Sequence, residues 1–175
     1  MNVITLRSMI REDIPHIAAW IAQSPLWQRY RLDASKASRQ LEQALERNEM
    51  LLAAVPPEGP VCGLAWCMVG GAFGRSTYLR LLGIEETYRS AGVGALLLNE
   101  AERLAAESGQ SMVLLVSDFN TGAQHFYQRQ GYTQVGALPG YVLPDVTELI
   151  YWKPLNSSMT SIPGSPLAKE AHPNL

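Results

Sequence analysis

The 175-residue sequence has little cysteine, little net charge and no long apolar run. Its two cysteines, Cys62 and Cys67, lie in one β-rich run, where strand alternation predicts that they face opposite sides, so neither a disulfide nor a metal site is expected. The formal charge is −2 and like charges are not clustered, which argues against nucleic-acid binding. No window reaches the ~18 apolar residues of a membrane span, and the N-terminus has no cleavage-site pattern. We therefore expect a cytoplasmic protein with no membrane association.

Length and composition predict one globular domain with a polar tail. A hydrophobic fraction of 47% in 175 residues can form one core of ordinary size. From Lys153 onward the chain is rich in Pro, Ser, Asn and Gly and has little periodicity. We predict a domain over residues 1–155 and a mobile tail over residues 156–175.

Hydrophobic periodicity predicts an α+β fold with a mixed, mostly antiparallel sheet of about seven strands and about four helices. A helix is expected to break near Ser24 and Pro25, leaving a connecting stretch that contains Trp27 and Tyr30. In the second half, a strand, a helix and a parallel strand form a βαβ unit, which places the start of the helix at the carboxyl end of the first strand. The predicted strands are 3–9, 50–55, 61–69, 76–84, 112–117, 132–135 and 147–152, and the predicted helices are 14–21, 33–47, 92–107 and 120–130.

The most informative stretch runs from Thr87 to Ala95, between a predicted strand and a predicted helix. Gly92 and Gly94 let the backbone approach a ligand closely, and the first amides of the helix have no partners within the helix. These donors and the helix dipole favour an anion such as a diphosphate. A glycine-rich turn without a ligand explains the two glycines alone equally well.

Two motifs together resemble those of the GNAT superfamily of acetyl-CoA-dependent N-acetyltransferases. Arg89, Gly92, Gly94 and Ala95 form R-x-x-G-x-G-A, which is similar to the family's pyrophosphate loop, Q/R-x-x-G-x-G/A. Residues 120–132 read N-x-x-A-x-x-F-Y-x-x-x-G-Y, which is similar to the family's helix after the fifth strand. The resemblance spans roughly residues 4–155 in element order. It implies a GNAT-like fold and direct transfer of an acetyl group from acetyl-CoA to an amine of a small molecule, peptide or protein, without a metal.

The resemblance also implies a cofactor site held mostly by main chain. Backbone groups of residues 82–84 would pair with the pantetheine arm, and the amides of residues 89–95 would hold the pyrophosphate. Tyr127 would lie beside the thioester sulfur, where a phenol can act as the general acid for the departing thiolate. Taken alone, Tyr127 also fits a core aromatic and Asn120 a helix N-cap. The implied cofactor-binding residues are Leu82, Gly83, Ile84, Arg89, Ser90, Ala91, Gly92, Val93, Gly94, Ala95, Asn120, Ala123 and Tyr127.

The sequence departs from the family at the general base. Many relatives carry a carboxylate on the fourth or fifth strand, where this chain has Tyr78 and Leu115. A proton could leave the amine through water to a nearby carboxylate, and surface charge is the simpler interpretation of each candidate. The candidates are Glu85, Glu86, Asp118 and Glu148.

Aromatic residues in the variable loops and at the missing base position are candidate acceptor-binding groups. They are Trp27, Tyr30, Tyr78 and Tyr141, although Trp27 and Tyr30 equally fit a role in covering the edge of the core. The loops contain few acidic residues, which weakens the case for a polycationic acceptor. Dimers are common in the family that the chain resembles, so a homodimer is one expected assembly.

Two other functions are alternatives to acyl transfer. A dinucleotide-binding βαβ unit would need a third glycine where the chain has Leu97. Its acidic residue would lie about 20 positions after the first glycine, and Asp118 lies further along the chain than that. A non-catalytic acyl-CoA-binding module would keep the loop and the fold without turnover; the missing carboxylate favours this alternative, and Tyr127 argues against it.

Overall fold

The computed structural model describes residues 3–155 as a seven-stranded sheet with helices on both faces. The predicted tail, residues 156–175, lies outside the described residues, so the domain boundary stays a prediction. The strands are β1 Thr5–Ser8, β2 Met50–Val55, β3 Gly63–Ala72, β4 Ser76–Ile84, β5 Ser111–Ser117, β6 Thr133–Pro139 and β7 Thr147–Pro154. The helices are α1 Ile14–Gln23, α2 Pro25–Arg29, α3 Ala34–Glu46, α4 Val93–Ser108 and α5 Thr121–Arg129.

The strand order in the sheet is β1-β2-β3-β4-β5-β7-β6. Every neighbouring pair is antiparallel except β4 with β5, which run parallel. The parallel pairing is short and joins Thr77–Leu79 to Met112–Leu114. Beyond it the two strands diverge toward their carboxyl ends, so the sheet opens in its middle. This confirms the predicted α+β class and the mixed, mostly antiparallel sheet.

The two faces of the sheet have separate cores. On one face α1 and α3 pack over β2 and β3, with Ile17, Leu41 and Leu64 almost fully buried. On the other face α4 and α5 pack over β3, β4 and β5, with Leu97 and Met112 at the centre. Each amphipathic helix thereby buries its apolar stripe against the sheet.

Two local predictions were wrong. The stretch after Pro25 is the five-residue helix α2, because proline is well suited to the first turn of a helix and does not only end the one before it. Cys62 and Cys67 are free thiols in the same core cluster, whereas alternation placed them on opposite faces. Strand alternation does not apply to Cys62, since β3 begins only at Gly63.

None of the helices in residues 3–155 is long and apolar enough to cross a lipid bilayer.

Candidate functional site

A groove of about 1000 Å³ opens where β4 and β5 diverge. Its walls are the end of β4, the loop before α4, the start of α5 and the short helix α2. The predicted cofactor residues that line it are Leu82, Gly83, Ile84, Arg89, Ser90, Gly92, Gly94, Ala95, Asn120, Ala123 and Tyr127. Ala91 and Val93 do not line the groove. Ala91 is exposed, and Val93, the first residue of α4, is buried in the core. Those two residues could reach a ligand only through their backbone amides.

The loop before α4 presents the start of that helix to the groove. Gly92 has a φ of +81°, a left-handed conformation that glycine adopts without strain, and it is the N-cap of α4. The amides of the first helical turn that follow it have no partners within the helix, so they can bind an anion. A Cβ on Gly94 would sit 3.7 Å from Phe126 and 3.8 Å from Ile84, so a larger side chain there has to extend into the groove. The Arg89 Nε donates to the carbonyl of Ile84 at 3.3 Å and ties the loop to β4.

Asn120 caps α5 at the far wall of the groove. Its Oδ1 accepts from the Ala123 amide at 3.2 Å, which satisfies one of the orphan donors of the helix. The N-cap interpretation of Asn120 is therefore confirmed, and its contact with a cofactor stays a prediction.

Tyr127 lies between the groove and the core. Its ring makes edge contacts with Phe126 and Tyr132, with centroids at 5.1 and 5.5 Å. Its hydroxyl has no hydrogen-bond partner among residues 3–155, although the residue is buried and lines the groove. Burial raises the pKa of Tyr127 above the usual range of a phenol, so the proton stays on the oxygen at neutral pH. The side chain therefore offers an uncommitted O–H donor inside the cleft.

A second cavity of about 490 Å³ adjoins the groove, and the residues that line both are Leu26, Trp27, Leu82, Asn120, Ala123 and Tyr127. All of the predicted acceptor-binding residues, Trp27, Tyr30, Tyr78 and Tyr141, line this cavity. Trp66 of β3 and Leu115 of β5 also line it. The structure thus brings the aromatic candidates together next to Tyr127.

Glu148 of β7 is a buried carboxylate in the wall of the second cavity. It is only 4% exposed, and no cationic side chain of the described residues lies within ion-pair distance of it. The Tyr30 hydroxyl donates to its Oε1 at 2.5 Å and is 2.5 Å from the Ser117 Oγ. Because Tyr30 has one proton to give, Ser117 donates to Tyr30. The interpretation of Glu148 as surface charge was wrong, because α2 and Tyr30 cover this end of β7.

The other carboxylates considered as proton acceptors do not line the second cavity. Glu85 is 3.4 Å from the His16 Nε2, and Glu86 is exposed. Asp118 is also exposed, and its Oδ2 accepts from the Thr147 amide at 3.2 Å. Glu148 is thus the one of the four that faces the candidate acceptor side.

Tyr30 keeps its proton under ordinary conditions. Burial and the hydrogen bond to Glu148 raise the pKa of Tyr30 to about 12. The chain of Ser117, Tyr30 and Glu148 therefore holds the carboxylate in one orientation at neutral pH. Sequence reasoning could not assemble this chain, because its members come from three distant parts of the sequence.

The helix α2 bridges the open part of the sheet. Tyr30, which follows the last residue of α2, connects this helix to β5 through Ser117 and to β7 through Glu148. Arg29 pairs with Asp145 at 3.2 Å, and its guanidinium stacks on the ring of Phe119 at 4.0 Å. These contacts hold the side chain of Trp27 over both cavities.

The described residues contain no cluster of three or more groups that could bind a metal ion.

Comparison with known proteins identifies the family. Residues 14–132 match the model of the Acetyltransferase (GNAT) family. Among solved structures, Ard1 from Thermoplasma volcanium is similar at 23% identity and a TM-score of 0.72, covering 86% of this chain and 97% of its own. The ribosomal-protein-alanine N-acetyltransferase from Brucella melitensis is 20% identical, with a TM-score of 0.72 and coverages of 86% and 99%. The structure of yncA from Salmonella typhimurium with its cofactor acetyl-CoA is 16% identical, with a TM-score of 0.72 and coverages of 89% and 96%.

These structural likenesses lie below 25% identity, so they establish the fold and not the substrate. The family match covers more than half of the chain and includes both sequence motifs. The GNAT-like fold predicted from the sequence is thereby confirmed, and the chain belongs to the GNAT acetyltransferase family.

Proposed function

We propose that the protein is an N-acetyltransferase that passes the acetyl group of acetyl-CoA directly to the amine of a small molecule, peptide or protein. The observation that carries this proposal is Glu148, a buried carboxylate that has no cationic partner among residues 3–155 and lines a cavity together with Tyr127. An ionised carboxylate is costly to bury unless a positive charge compensates it. An ammonium group in this cavity would supply that charge.

The groove suits the acyl donor. At Leu82–Ile84 one edge of β4 pairs with β3, and the other edge, which faces β5, has no strand partner and offers backbone donors and acceptors to an extended chain such as pantetheine. The first turn of α4 suits the pyrophosphate, and the groove leads from that turn to Tyr127. The structure of yncA contains acetyl-CoA, and this chain shares its fold. Acetyl-CoA is accordingly the proposed co-substrate, and the longer acyl chains are controls for the experiment.

Glu148 is the proposed proton acceptor. It takes a proton from the bound ammonium, directly or through one water, and leaves the neutral amine as nucleophile. The amine nitrogen then forms a bond to the thioester carbonyl carbon, the carbon–sulfur bond breaks, and the extra proton on the nitrogen passes to water as the neutral amide forms. Tyr30 and Ser117 are positioning residues, because they orient the carboxylate without meeting the substrate's reacting atoms.

Tyr127 is the proposed general acid. As the carbon–sulfur bond breaks, its hydroxyl donates to the sulfur on which negative charge develops. A covalent acetyl-enzyme is not part of the proposal, because Cys62 and Cys67 are buried and line neither cavity. Burial also raises the pKa of both thiols, that of Cys67 to about 12, which leaves no thiolate at neutral pH.

The test combines a binding assay with a turnover assay. Thermal unfolding with acetyl-CoA at 100 times Kd should show about 2.7 kcal/mol of stabilisation, or roughly 5 to 10 °C, whereas NAD should have no effect. Release of CoA thiol and mass spectrometry of the N-acetylated product would then be followed across a panel of amines and amine-bearing peptides.

The outcomes separate the two functions that remain. Acetylation of any amine, lost in Tyr127→Phe, supports the enzyme. A thermal shift with no turnover across the panel would favour the non-catalytic acyl-CoA-binding module. No shift with any CoA compound at millimolar concentration would refute both. The cytoplasmic location and the homodimer stay predictions, which fractionation and light scattering would test.

A further inference from the structure

The second cavity contains two charged side chains of opposite sign. Among the described residues that line it, Glu148 is the one carboxylate and Arg80 the one cation. The rest of the lining is aromatic, apolar or neutral polar, and the aromatic members are Trp27, Tyr30, Trp66, Tyr78, Tyr127 and Tyr141. The cavity is therefore neutral overall but carries a charge at each of two places.

Arg80 lies where β4 is irregular. The β3–β4 ladder pairs Trp66 with Leu81 and Cys67 with Leu79, so Arg80 is the extra residue of a bulge. Bulges redirect a side chain out of the regular alternation. Here the Arg80 guanidinium stacks on the Trp66 ring with its carbon 4.5 Å from the centroid.

The surface that supports Arg80 is itself fixed. The Trp66 Nε1 donates to Glu49 at 2.5 Å, which sets the plane of the ring. No carboxylate of residues 3–155 lies within ion-pair distance of Arg80, whereas Arg29 at the other rim of the site is paired with Asp145. Stacking holds a guanidinium in place while leaving its edge donors available to an anion.

Tyr78 lines the same cavity as the two charged residues. It is the last residue but one of the β4 segment that pairs with β5, and Glu148 pairs with Ser117 at the far end of β5. Burial raises the pKa of Tyr78, and the charges of Arg80 and Glu148 act on it in opposite directions. Arg80, Tyr78 and Glu148 are therefore three residues of one cavity.

We infer that the acyl acceptor is a small zwitterion, an amine that also carries a carboxylate or another anionic group. Its ammonium is held at Glu148 and its anionic group at Arg80, and the inference rests on the proposed function of the site. Such an acceptor supplies a cation to the buried Glu148 and an anion to Arg80, whose side chain is exposed at the rim of the cavity. A simple alkylamine leaves Arg80 without an anion, and a diamine places a second cation beside it.

The aromatic walls add a constraint on the acceptor. Trp27 and Tyr141 present ring faces and edges that contact an apolar body or a cation without directional hydrogen bonds. A flexible chain between the two charged groups is compatible with these walls. A series of acceptors of increasing length therefore measures the preferred distance between the ammonium and the anionic group.

The experiment compares acceptors that differ only in the anionic group. Initial rates with acetyl-CoA are measured for α-amino acids against their decarboxylated amines, for instance phenylalanine against 2-phenylethylamine. A second series compares ω-amino acids of increasing length with alkylamines and diamines of the same length. We expect kcat/KM to be about 3- to 10-fold higher for the best anionic acceptor than for its uncharged counterpart, because the interaction at the exposed Arg80 is screened by solvent.

Variants of Arg80 locate the effect. Arg80→Gln should remove the preference by lowering kcat/KM for the zwitterion to about the value for the alkylamine. Arg80→Lys should keep part of it, because the charge remains but the bidentate fork is lost. Arg75→Gln, on the same hairpin but outside both cavities, is the matched control and should keep the full preference. The acetyl-CoA thermal shift should be the same in all of these proteins, because Arg80 does not line the groove.

Other results would overturn the inference. Equal rates with zwitterions and alkylamines, a preference for diamines, or an equal loss for every acceptor in Arg80→Gln would each refute it while leaving N-acetylation established. Failure to acetylate any amine despite an acetyl-CoA thermal shift would refute the proposed function, and the inference with it.

Discussion

Replacing Glu148 with glutamine separates the stability of the fold from the function of the site. Glutamine keeps the size of the side chain and an oxygen that can accept from Tyr30, but it removes a charge that is 4% exposed and has no cationic partner in the described part of the chain. Burying an ion costs several kcal/mol, and one hydrogen bond to a charged group returns about 1.5–3 kcal/mol. We therefore expect the free energy of unfolding to rise by about 1 kcal/mol, or the Tm by about 2–4 °C.

The activity of the same variant should change in the opposite direction. If Glu148 accepts the proton of the acceptor ammonium, its amide cannot, and kcat should fall by about 10²- to 10⁴-fold at neutral pH. Replacing a residue that only supports the fold would not give a variant that is both more stable and much less active. The assay is thermal unfolding beside initial rates of CoA release on one preparation.

Glu102 of α4 offers the matched control. It is also a largely buried carboxylate, but the Lys153 ammonium lies 2.5 Å from its Oε2, and neither residue lines either cavity. Glu102→Gln leaves Lys153 without its anion, so we expect a loss of about 1–3 kcal/mol of stability. Its kcat should stay within about twofold of wild type.

One result would refute the reasoning about Glu148. A fall of several degrees in the Tm of Glu148→Gln, with activity recovered once the assay is run well below that Tm, would make Glu148 a structural group. The rate then would follow the fraction of folded protein and not the chemistry of the carboxylate.

Three further predictions follow from the structure. Tyr127→Phe should lower kcat about 100-fold with an unchanged Tm and KM for acetyl-CoA, because its hydroxyl has no hydrogen bond to lose among the described residues; an unchanged kcat would remove it from the reaction. Gly94→Val should abolish the acetyl-CoA thermal shift in a folded protein, measured by calorimetry, since its side chain must enter the groove; Gly94→Ala is the milder control. Burial would raise the pKa of Asp13, but hydrogen bonds and the charge of Arg7, at 2.6 Å, lower it overall. This stabilisation is present above pH 4 and lost as the pH falls through the lowered pKa, so Asp13→Asn should cost about 1 kcal/mol at pH 7 and less at pH 3, and an equal cost at both would contradict the assignment.

Local patterns were sufficient for most of the fold. The predicted bounds of β2 and β4 coincide with the observed strands, because short apolar runs with clear turn residues on both sides leave little choice of register. The helix α2 was missed because Pro25 both ends one helix and begins the next. The order of β6 and β7 could not be predicted, since the connection between them does not show which strand lies beside β5.

Some residues of the candidate site could be predicted from the sequence and others could not. The loop from Arg89 to Ala95 is contiguous, so its residues could be named from the sequence, and most of them line the groove. Glu148 and Tyr30 are separated by 118 positions, and only the sheet order and the position of α2 bring them together. The burial of Glu148 could not be predicted from the sequence around it. The residues beside a glutamate in a strand can be the same whether its side chain is buried or exposed.

The short β4–β5 pairing also affects how the protein unfolds. The sheet consists of a four-stranded half, β1 to β4, and a three-stranded half, β5 to β7, joined directly by three residue pairs. Local unfolding tends to follow such weak boundaries, so those amides of residues 80–84 that point away from β3 should exchange with solvent faster than the amides inside either half. A ligand that hydrogen-bonds to this edge acts as an additional strand and slows that exchange. The lifetime of the protein against proteases in a cell would then follow the supply of its acyl donor.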